Sequence, residues 1–397
     1  MTEPKVTAGT SPDRPTDPVI GPAEVTPDLV TRVLHRAGIG LDATVTAVDG
    51  GGIGTGQVGQ NVRFGLTWSV SAGEAAERGL PPTLVGKFPS DDDKSRSTAA
   101  ATSTYIREVG FYRDLASEVD ISIPTVWYVA EDRAGNDFTI LMADLAPAVQ
   151  GDQLTGCPVE HAELAVDQAA TLHGSSWGRL DLVDRTDWLS VPDAESAAGR
   201  FGLYRTVFPA FVDRYRSMLP ADDIAFGEAM GERLERWFEV GYGQDDPAHD
   251  WCLAHGDYRL DNMLFAPHPD SSGGGVAPGR PGAVAPVTVV DWQTVSIGSG
   301  PADVAYFVGA GLEPGLRTEV EEVLLVRYLD GLRARGVTVD ADRVRRQYVL
   351  GSFTGYLMAV VASQIVGQTD RGDAMFVAMA AGHADQGRRL GLLDLVT

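Results

Sequence analysis

Residues 253–265, LAHGDYRLDNMLF, are the part of this chain whose sequence is most informative about its fold and chemistry. The stretch sets a dense group of charged and amide side chains between apolar ends, namely His255, Asp257, Arg259, Asp261 and Asn262. Polar groups beside apolar residues are costly to bury unless they are used. The stretch is therefore typical of a functional site and not of a core strand.

Asp257 and Asn262 have the spacing of the catalytic loop HRDxxxxN of phosphoryl-transfer enzymes. In such loops the aspartate accepts the proton of the attacking hydroxyl, and the asparagine holds a metal ion. If this interpretation is right, the rest of the chain supplies a phosphate-binding loop, a lysine and a second metal ligand.

The length and charge of the chain limit its partners. With 397 residues it can form one large two-lobed unit or two domains, and 44% hydrophobic and 22% charged residues are ordinary for a globular protein. A net charge of -23 would repel nucleic-acid backbones and anionic membranes, so we expect neither as a partner. It would attract a cationic small molecule, although a surface that only maintains solubility explains it equally well.

The cysteines and the N-terminus indicate a cytoplasmic protein. Cys157 and Cys252 form neither a disulfide framework nor a zinc pattern. The first residues lack the apolar run of a signal peptide, and no later stretch is both long and uncharged enough to span a bilayer. Residues 1–25, rich in Pro, Thr, Asp and Gly, are expected to form a disordered tail.

Residues 43–70 predict two strands joined by a glycine-rich turn, in which Gly54, Gly56 and Gly59 form the pattern GxGxxG. A dehydrogenase would need a helix directly after this pattern, whereas residues 61–70 alternate as a strand does. We therefore favour a kinase-type loop whose backbone N–H groups approach nucleotide phosphates. An unspecialised hairpin is the alternative, and the absence of GK[ST] removes a P-loop.

A third strand is predicted to end with Lys87, followed by one helix over residues 95–119. Glu108 lies near the apolar stripe of this helix, where a carboxylate without a cation would be costly. Lys87 is its candidate partner, and the pair would hold the ammonium against the α- and β-phosphates of a nucleotide. An exposed lysine is the alternative, and Glu118, the competing acid, is expected to be solvated.

Two more strands are predicted within residues 124–146, and the second leads through Met142 and Asp144 into a larger part of the chain. Backbone groups at this crossing could receive an adenine ring. Amphipathic helices follow from about residue 159. The expected division is an N-lobe over residues 26–145 and a C-lobe over residues 146–397, with a Gly/Pro-rich flexible insertion at 267–286.

A β-branched run, residues 287–290, ends at Asp291, whose alternative role is that of a turn or capping residue. Asn262 and Asp291 would come from the two strands of one interrupted hairpin and could converge on one Mg²⁺, which prefers hard oxygen ligands. Asp303 is expected to cap a helix and brace the catalytic loop. His173 is expected to be a core or capping residue.

On the motifs HGDYRLDN and VVDWQ, with EVGFY and LMADL in support, the chain resembles the aminoglycoside phosphotransferase and choline kinase-like superfamily. Within it, the chain is most similar to ecdysteroid-kinase-like proteins and their actinobacterial relatives. The resemblance implies an α+β, protein-kinase-like fold with two lobes, a small antiparallel-sheet N-lobe plus one helix and a mostly helical C-lobe. It also implies ATP and Mg²⁺, and transfer of the γ-phosphoryl group to a hydroxyl of a small alcohol.

The resemblance also implies roles for individual residues. Arg259 could steady the transferring phosphoryl group, and His255 is architectural. The roles of the other residues are catalytic base for Asp257, metal ligands for Asn262 and Asp291, and a phosphate-contacting pair for Lys87 and Glu108.

The acceptor is left open as aminoglycoside-like, choline-like or another small alcohol, for a monomer or homodimer. A cationic acceptor would fit the acidic composition. The alternative is a catalytically silent nucleotide-binding or scaffold protein on the same fold. The presence of Lys87, Asp257, Asn262 and Asp291 counts against it, because a silent relative does not need all four.

Overall fold

The computed structural model describes residues 17–53, 59–132, 135–242, 251–267 and 285–397. Its N-lobe contains a five-stranded antiparallel sheet with the strand order β1-β2-β3-β5-β4. In chain order the N-lobe elements are α1 (Pro27–Arg36), β1 (Val45–Ile53), β2 (Gly59–Trp68), α2 (Ala72–Glu77), β3 (Thr83–Pro89), α3 (Asp93–Ala101), α4 (Thr104–Gly110), β4 (Val126–Glu131) and β5 (Phe138–Ala143).

The C-lobe is mostly helical, with two small sheets of strand order β6-β8-β9 and β10-β7. Its elements are β6 (Val149–Gln150), α5 (Val159–Ser176), α6 (Asp181–Asp184), α7 (Ala194–Tyr215), α8 (Ala221–Gly231), α9 (Leu234–Tyr242), β7 (Cys252–Ala254), β8 (Met263–Phe265), β9 (Val287–Val289), β10 (Ser296–Gly298), α10 (Gly300–Gly311), α11 (Pro314–Ala334), α12 (Ala341–Gly351), α13 (Thr354–Ile365), α14 (Asp370–Arg389) and α15 (Leu392–Leu395). The predicted fold class, a sheet-containing N-lobe and a helical C-lobe, is confirmed.

The N-terminal segment differs from the predicted tail. Residues 1–16 lie outside the described residues, but residues 17–25 pack against the sheet. The backbone N–H of Ile20 donates to Thr139 Oγ1 at 2.9 Å, and the Thr139 hydroxyl donates to the Ile20 carbonyl at 2.7 Å. Val25 is buried in the N-lobe core. The few apolar residues of this segment are enough to dock it on β5.

β1 ends at Ile53 and its antiparallel partner β2 begins at Gly59, so among the described residues no helix follows Gly59 as a dinucleotide-binding loop requires. Gly54 and Gly56 lie outside the described residues. At Gly59, an added Cβ would lie 2.9 Å from the carbonyl oxygen of Phe88 and 3.9 Å from the Lys87 side chain. Gly59 therefore lets β2 approach β3 closely beside Lys87.

The single helix predicted over residues 95–119 is wrong. The chain forms α3, a break at Ser103 with φ of 56°, then α4 and a π-helical turn over Phe111–Leu115. The polar and small residues of α3 give it no apolar face that would keep it in line with α4. Through the π-helical turn, the ring of Phe111 stacks on Trp292 at 3.6 Å between centroids.

Residues 340–367, whose sequence predicts a single helix, also divide, into α12 and α13. The division is at Ser352 and Phe353, next to Gly351, whose added Cβ would lie 2.5 Å from Ala302 Cα. Contrary to the expectation that no stretch is both long and uncharged enough to span a bilayer, Ala341–Ile365 together have a sufficient length and a mean hydropathy of 1.3. Because 56% of that window is buried within the protein, it has the composition of a core helix.

One hydrophobic core joins the lobes and surrounds the signature stretch. It contains side chains of α4, β5, α5 and the strands on either side of residues 255–262, including Val109, Ile140, Leu253 and Val289. A second cluster fills the space between α7, α13 and α14, and a third lies under α1 and the N-lobe sheet. The signature stretch is therefore fixed by packing from both lobes.

His383 on α14 makes the stability of the C-lobe sensitive to acid. Its ring is fully buried beside Gly309 and Gly355, and Nδ1 lies 3.1 Å from the carbonyl oxygen of Ser352. Burial, together with the charge of Arg317, lowers the pKa of His383 from 6.5 to about 3. Between these two values the His383 ring is neutral in the folded state and protonated in the unfolded state. The stability that depends on the neutral ring is therefore fully present above pH 6.5 and is lost as the pH falls toward 3.

We expect His383 to lower the free energy of unfolding of the wild-type protein by about 2 kcal/mol when the pH falls from about 7.5 to about 5. Denaturant unfolding of wild type and His383→Gln at both pH values measures it. The drop between the two pH values should be smaller in the variant by that amount. Equal drops would show that His383 is protonated alike in the folded and unfolded states.

Candidate active site

Two short strand pairs hold the ends of residues 255–262. β7 precedes this loop and pairs with β10, while β8 follows it and pairs with β9 in the register Met263↔Val289. The backbone N–H of Val290 donates to the Asn262 carbonyl at 2.9 Å, which brings Asp291 next to Asn262. The predicted interrupted hairpin is therefore present. Of its insertion, residues 268–284 lie outside the described part of the chain.

Asp303 braces the start of the loop. Its carboxylate accepts from the backbone N–H of His255 at 2.6 Å and of Gly256 at 2.9 Å. His173, fully buried as expected of a core histidine, lies 3.2 Å from the same carboxylate through Nε2. The predicted capping role is wrong, because the N-cap of α10 is Ser299 and Asp303 lies inside the helix. The Asp303 carboxylate accepts from the backbone N–H groups of His255 and Gly256 and not from those at the start of α10.

Asp257 is the centre of a dense hydrogen-bond network. Its carboxylate accepts from Arg259 Nε at 3.0 Å, from the Tyr306 hydroxyl at 2.8 Å and from Asn262 Nδ2 at 2.9 Å. Burial acts to raise the pKa of Asp257, but the charge of Arg259 and the hydrogen bond from Tyr306 outweigh it and lower the pKa below its usual value. The carboxylate is therefore ionised at neutral pH and can accept hydrogen bonds only.

Arg259 lies between two carboxylates. Besides its contact with Asp257, Nη1 donates to Asp261 at 2.8 Å. Asp261 in turn accepts from Arg371 of α14 at 3.0 Å. The structure therefore places Arg259 on the loop carboxylates. Its expected contact with a phosphoryl group stays a prediction. For that contact, the guanidinium would have to donate to the phosphoryl group as well as to Asp257 and Asp261.

Lys87, Glu108 and Asp291 form a buried charge cluster between the lobes. Lys87 Nζ lies 2.7 Å from the Glu108 carboxylate and 3.2 Å from Asp291 Oδ1. Lys87 and Glu108 are 8% and 1% exposed, so the pairing offsets an otherwise large desolvation cost. Burial lowers the pKa of Lys87, but the carboxylates of Asp291 and Glu108 outweigh this and raise it. The ammonium therefore remains charged, whereas burial raises the pKa of its partner Glu108.

Glu118 takes no part in this cluster. It was expected to be solvated, but its carboxylate lies 2.7 Å from Arg185 and 3.5 Å from Arg179 on the surface. The hydrogen bond from Arg185 lowers the pKa of Glu118. Glu108 is thus the acid of this segment that pairs with Lys87.

Asp291 has an unusual backbone conformation. Its φ is 69°, in the left-handed region that is uncommon for residues with a side chain, although aspartate tolerates it better than most. Such conformations are held by surrounding structure and are concentrated at functional sites. Here the conformation follows β9 directly and turns the carboxylate toward Lys87.

The ligand set fits a magnesium ion only in part. Asn262 donates its Nδ2 to Asp257, so its amide oxygen is the end of the side chain that could ligate a metal, and the half-buried Asp291 supplies carboxylate oxygen. These are hard oxygen ligands, the kind that Mg²⁺ prefers. Among the described residues no group of three or more His, Cys, Asp and Glu could hold a metal. A cation here would therefore need further oxygen atoms from bound phosphate.

Met142 and Asp144, which were predicted to lie near a nucleotide where the chain crosses between the lobes, have different surroundings. Met142 is a buried residue of β5, paired with Val85. The Asp144 carboxylate lies 2.6 Å from Arg63 Nε and accepts from the Thr83 hydroxyl at 2.8 Å. Burial acts to raise the pKa of Asp144, but the hydrogen bond from Arg63 helps to lower it. Asp144 therefore ties β2 and β3 to the crossing.

Sequence reasoning missed two residues of the site. The hydroxyl of Tyr306 in α10 donates to Asp257 at 2.8 Å, and Gln293 Nε2 donates to Glu108 at 3.2 Å. Signals for both were present. Gln293 belongs to VVDWQ, where only Asp291 had been assigned a role, and Tyr306 follows Asp303 by one helical turn on the same face of α10.

A two-lobed fold with an ion-paired strand lysine and an aspartate–asparagine loop defines a kinase-like protein. The model of the ecdysteroid kinase-like family matches residues 68–337, and the chain belongs to that family. A search of curated protein sequences gives no match.

Solved structures share the fold at low sequence identity. A microcompartment-associated aminopropanol kinase is 14% identical, with a TM-score of 0.50 over 93% of this chain and 99% of that one. An ethanolamine kinase from Plasmodium vivax is 10% identical, with a TM-score of 0.48 over 89% and 86%. The GDP complex of aminoglycoside 2′-phosphotransferase-IIIa is 14% identical, with a TM-score of 0.46 over 90% and 99%. The fold comparison rests on the first of these.

Proposed function

We propose that the protein is a Mg²⁺-dependent kinase that transfers the γ-phosphoryl group of ATP to a hydroxyl of a small alcohol. The observation that carries this proposal is the buried cluster in which Lys87 Nζ lies 2.7 Å from Glu108 and 3.2 Å from Asp291. A charged lysine held by a helix glutamate beside a strand-end aspartate is the arrangement that kinases use to position phosphates.

In this proposal the N-lobe binds the nucleotide. The Lys87 ammonium contacts the α- and β-phosphates, with Glu108 fixing its position. The loop that carries Gly54, Gly56 and Gly59 covers the phosphates, and Gly59 lies beside Lys87. Backbone groups at the crossing near residue 145, which we take as the boundary of the lobes, receive the adenine ring.

Asn262 and Asp291 would hold Mg²⁺ together with phosphate oxygens. When bound, this ion neutralises charge that develops on the phosphates during transfer. Asp291, 3.2 Å from Lys87 Nζ, also helps to orient the ammonium. Positioning and charge neutralisation, and not covalent chemistry by the protein, account for the rate in this class of reaction.

Asp257 accepts the proton of the acceptor hydroxyl. A carboxylate whose pKa is lowered is a weak base, which suits a loose transition state in which the hydroxyl loses its proton late. Tyr306 and Arg259 keep the carboxylate oriented, so that it first aligns the hydroxyl with the phosphorus atom and then receives the proton. Arg259 is therefore assigned first to positioning Asp257, and to the phosphoryl group second.

The acceptor is proposed at the level of a small alcohol. The aminopropanol and ethanolamine kinases named above act on amino alcohols, and the net charge of -23 would favour a cation. Amino alcohols and aminoglycosides are therefore the first acceptors to test. We propose a cytoplasmic monomer or homodimer without a nucleic-acid or membrane partner.

An ATP-consumption screen tests the proposal. Wild-type protein with Mg²⁺ and ATP is assayed against a panel of amino alcohols, neutral alcohols and aminoglycosides, with Asp257→Asn as the blank. We expect consumption that depends on one class of alcohol and is absent from the blank. Nucleotide binding without consumption on any acceptor would favour the catalytically silent alternative.

A further inference from the structure

Arg371 lies in the first turn of α14 and contacts two carboxylates from other parts of the C-lobe. Its Nη1 donates to Asp152 Oδ1 at 3.0 Å, and its Nη2 donates to Asp261 Oδ1 at 3.0 Å. Asp152 follows β6, whereas Asp261 belongs to the loop between β7 and β8. A cation in the first turn of a helix is unfavourable, because the helix N-terminus carries partial positive charge. The two carboxylates offset this cost.

The Asp261 carboxylate is divided between two arginines. Its Oδ2 accepts from Arg259 Nη1 at 2.8 Å, while its Oδ1 accepts from Arg371 Nη2 and, at 3.1 Å, from the backbone N–H of Gln153. The Asp261 side chain is only 14% exposed, so solvent screens its charge weakly. Arg371 is therefore the second cation on a carboxylate that would otherwise be paired with Arg259 alone.

Arg259 is in turn shared between Asp261 and the proposed base, Asp257. Its Nε lies 3.0 Å from both carboxylate oxygens of Asp257, and its Nη1 contacts Asp261 and, at 2.9 Å, the sulfur of Met375 on α14. Two carboxylates that share one guanidinium compete for it. An Asp261 charge without a second cation would attract the guanidinium more strongly, and Arg371 supplies that cation.

The start of α14 is held in place independently of the Arg371 side chain. The hydroxyl of Thr369 caps the helix by accepting from the backbone N–H of Gly372 at 3.0 Å, and Asp373 accepts from the Tyr215 hydroxyl at 2.8 Å. The Arg371 side chain itself is 47% exposed, so its ion pairs contribute little to the stability of the fold. Substitution of Arg371 should therefore affect the loop and leave the helix intact.

We propose that Arg371 is a positioning residue of the catalytic loop, which offsets the charge of Asp261 and so leaves Arg259 to orient the Asp257 carboxylate. The inference rests on the proposed kinase function, in which Asp257 accepts the proton of the acceptor hydroxyl. It gives a part in phosphoryl transfer to a residue of α14 that lies 110 residues after Asp261 in the sequence.

Arg371→Ala tests the proposal through kinetics, nucleotide binding and stability. With an acceptor found by the screen, kcat should fall about tenfold, because Asp257 is less well oriented. Affinity for magnesium ADP, measured by calorimetry, and the unfolding midpoint should stay near those of wild type. Arg371→Lys keeps a cation beside Asp261 and should retain most of the wild-type kcat.

A second substitution distinguishes positioning from a merely structural role. When Arg371→Ala is combined with Asp261→Asn, the carboxylate that competes for Arg259 is neutral. The kcat of the double variant should then be no lower than that of Asp261→Asn alone. If Arg371 served only to hold the segments together, the two losses would add, since its contact with Asp152 is lost in either background.

Arg388→Ala is the matched control. Arg388 lies on the same helix, and its Nη1 is 2.7 Å from Asp223 of α8, which is not part of the catalytic loop. This variant should have the kcat of wild type.

An unchanged kcat in Arg371→Ala would overturn the inference, as would additive losses in the double variant or a loss in Arg371→Lys equal to that in Arg371→Ala. A wild-type protein that phosphorylates no acceptor would overturn the proposed function and this inference with it. The two failures are distinguishable, because the first three results require an active wild-type protein and the last excludes it.

Discussion

Asp257→Asn is expected to lower kcat by about 10³-fold, within the range that a positioned general base contributes, while nucleotide affinity stays within about twofold of wild type. The amide can occupy the same space but cannot take the hydroxyl proton. It also presents a donor to Arg259 Nε, which now donates to the carboxylate at 3.0 Å. Steady-state kinetics on an acceptor found by the screen measures kcat, and calorimetry measures nucleotide binding.

Asp261→Asn is the matched control, since it makes the same charge change in the same loop. Asp261 contacts Arg259 and Arg371 rather than the proposed position of the acceptor hydroxyl. Its effect on kcat should therefore be far smaller than that of Asp257→Asn. Near wild-type turnover in Asp257→Asn would contradict the assignment of the base, and equal losses in both variants would show that the loop, not the base, had been damaged.

The second large effect is expected from Asp291→Ala. This substitution removes the only carboxylate proposed to ligate the metal and leaves the Lys87 ammonium paired with Glu108 alone. Affinity for magnesium ATP should fall about a hundredfold. Affinity for ATP with a chelator should be unchanged or higher, because a negative charge is removed beside the phosphates. Calorimetric titration in both conditions measures the two affinities.

Glu118→Gln is the control for Asp291→Ala. It removes a carboxylate that pairs with surface arginines and is remote from Lys87, so magnesium ATP should bind it as it binds wild type. A parallel loss of affinity with and without Mg²⁺ in Asp291→Ala would contradict a metal role. It would assign Asp291 to positioning Lys87 instead.

The parts of the site that could be predicted from the sequence are those that depend on short sequence patterns or on a single pair of charges. The Asp257 and Asn262 spacing is contained in one loop, and the cost of burying Glu108 pointed to Lys87, which the structure places 2.7 Å away. The hairpin that joins Asn262 to Asp291 followed from two short apolar runs, despite the insertion between them. Each of these predictions used one segment or one pair of opposite charges.

The contacts that sequence could not predict join segments far apart in the chain. Tyr306 reaches Asp257 only because α10 packs behind the loop, and Gln293 reaches Glu108 across the two lobes. Arg259 was assigned to phosphate, and its partner Asp261, two residues on, was overlooked. Such contacts depend on packing, which periodicity does not specify.

The fold class followed from the order of elements, but two helix boundaries did not. Helical periodicity continues through Ser103 and through Ser352, whereas the chain breaks at both. The first break depends on a left-handed residue and the second on close packing of Gly351 against Ala302.

Transfer of label from γ-labelled ATP tests the central claim most directly. Wild-type protein is incubated with Mg²⁺, labelled ATP and the panel of alcohols and aminoglycosides, and the products are separated. We expect label on an organic phosphate ester with wild type and none with Asp257→Asn. Label that stays in ATP or appears only as inorganic phosphate, in a wild-type protein that binds magnesium ATP, would contradict phosphoryl transfer to a small alcohol.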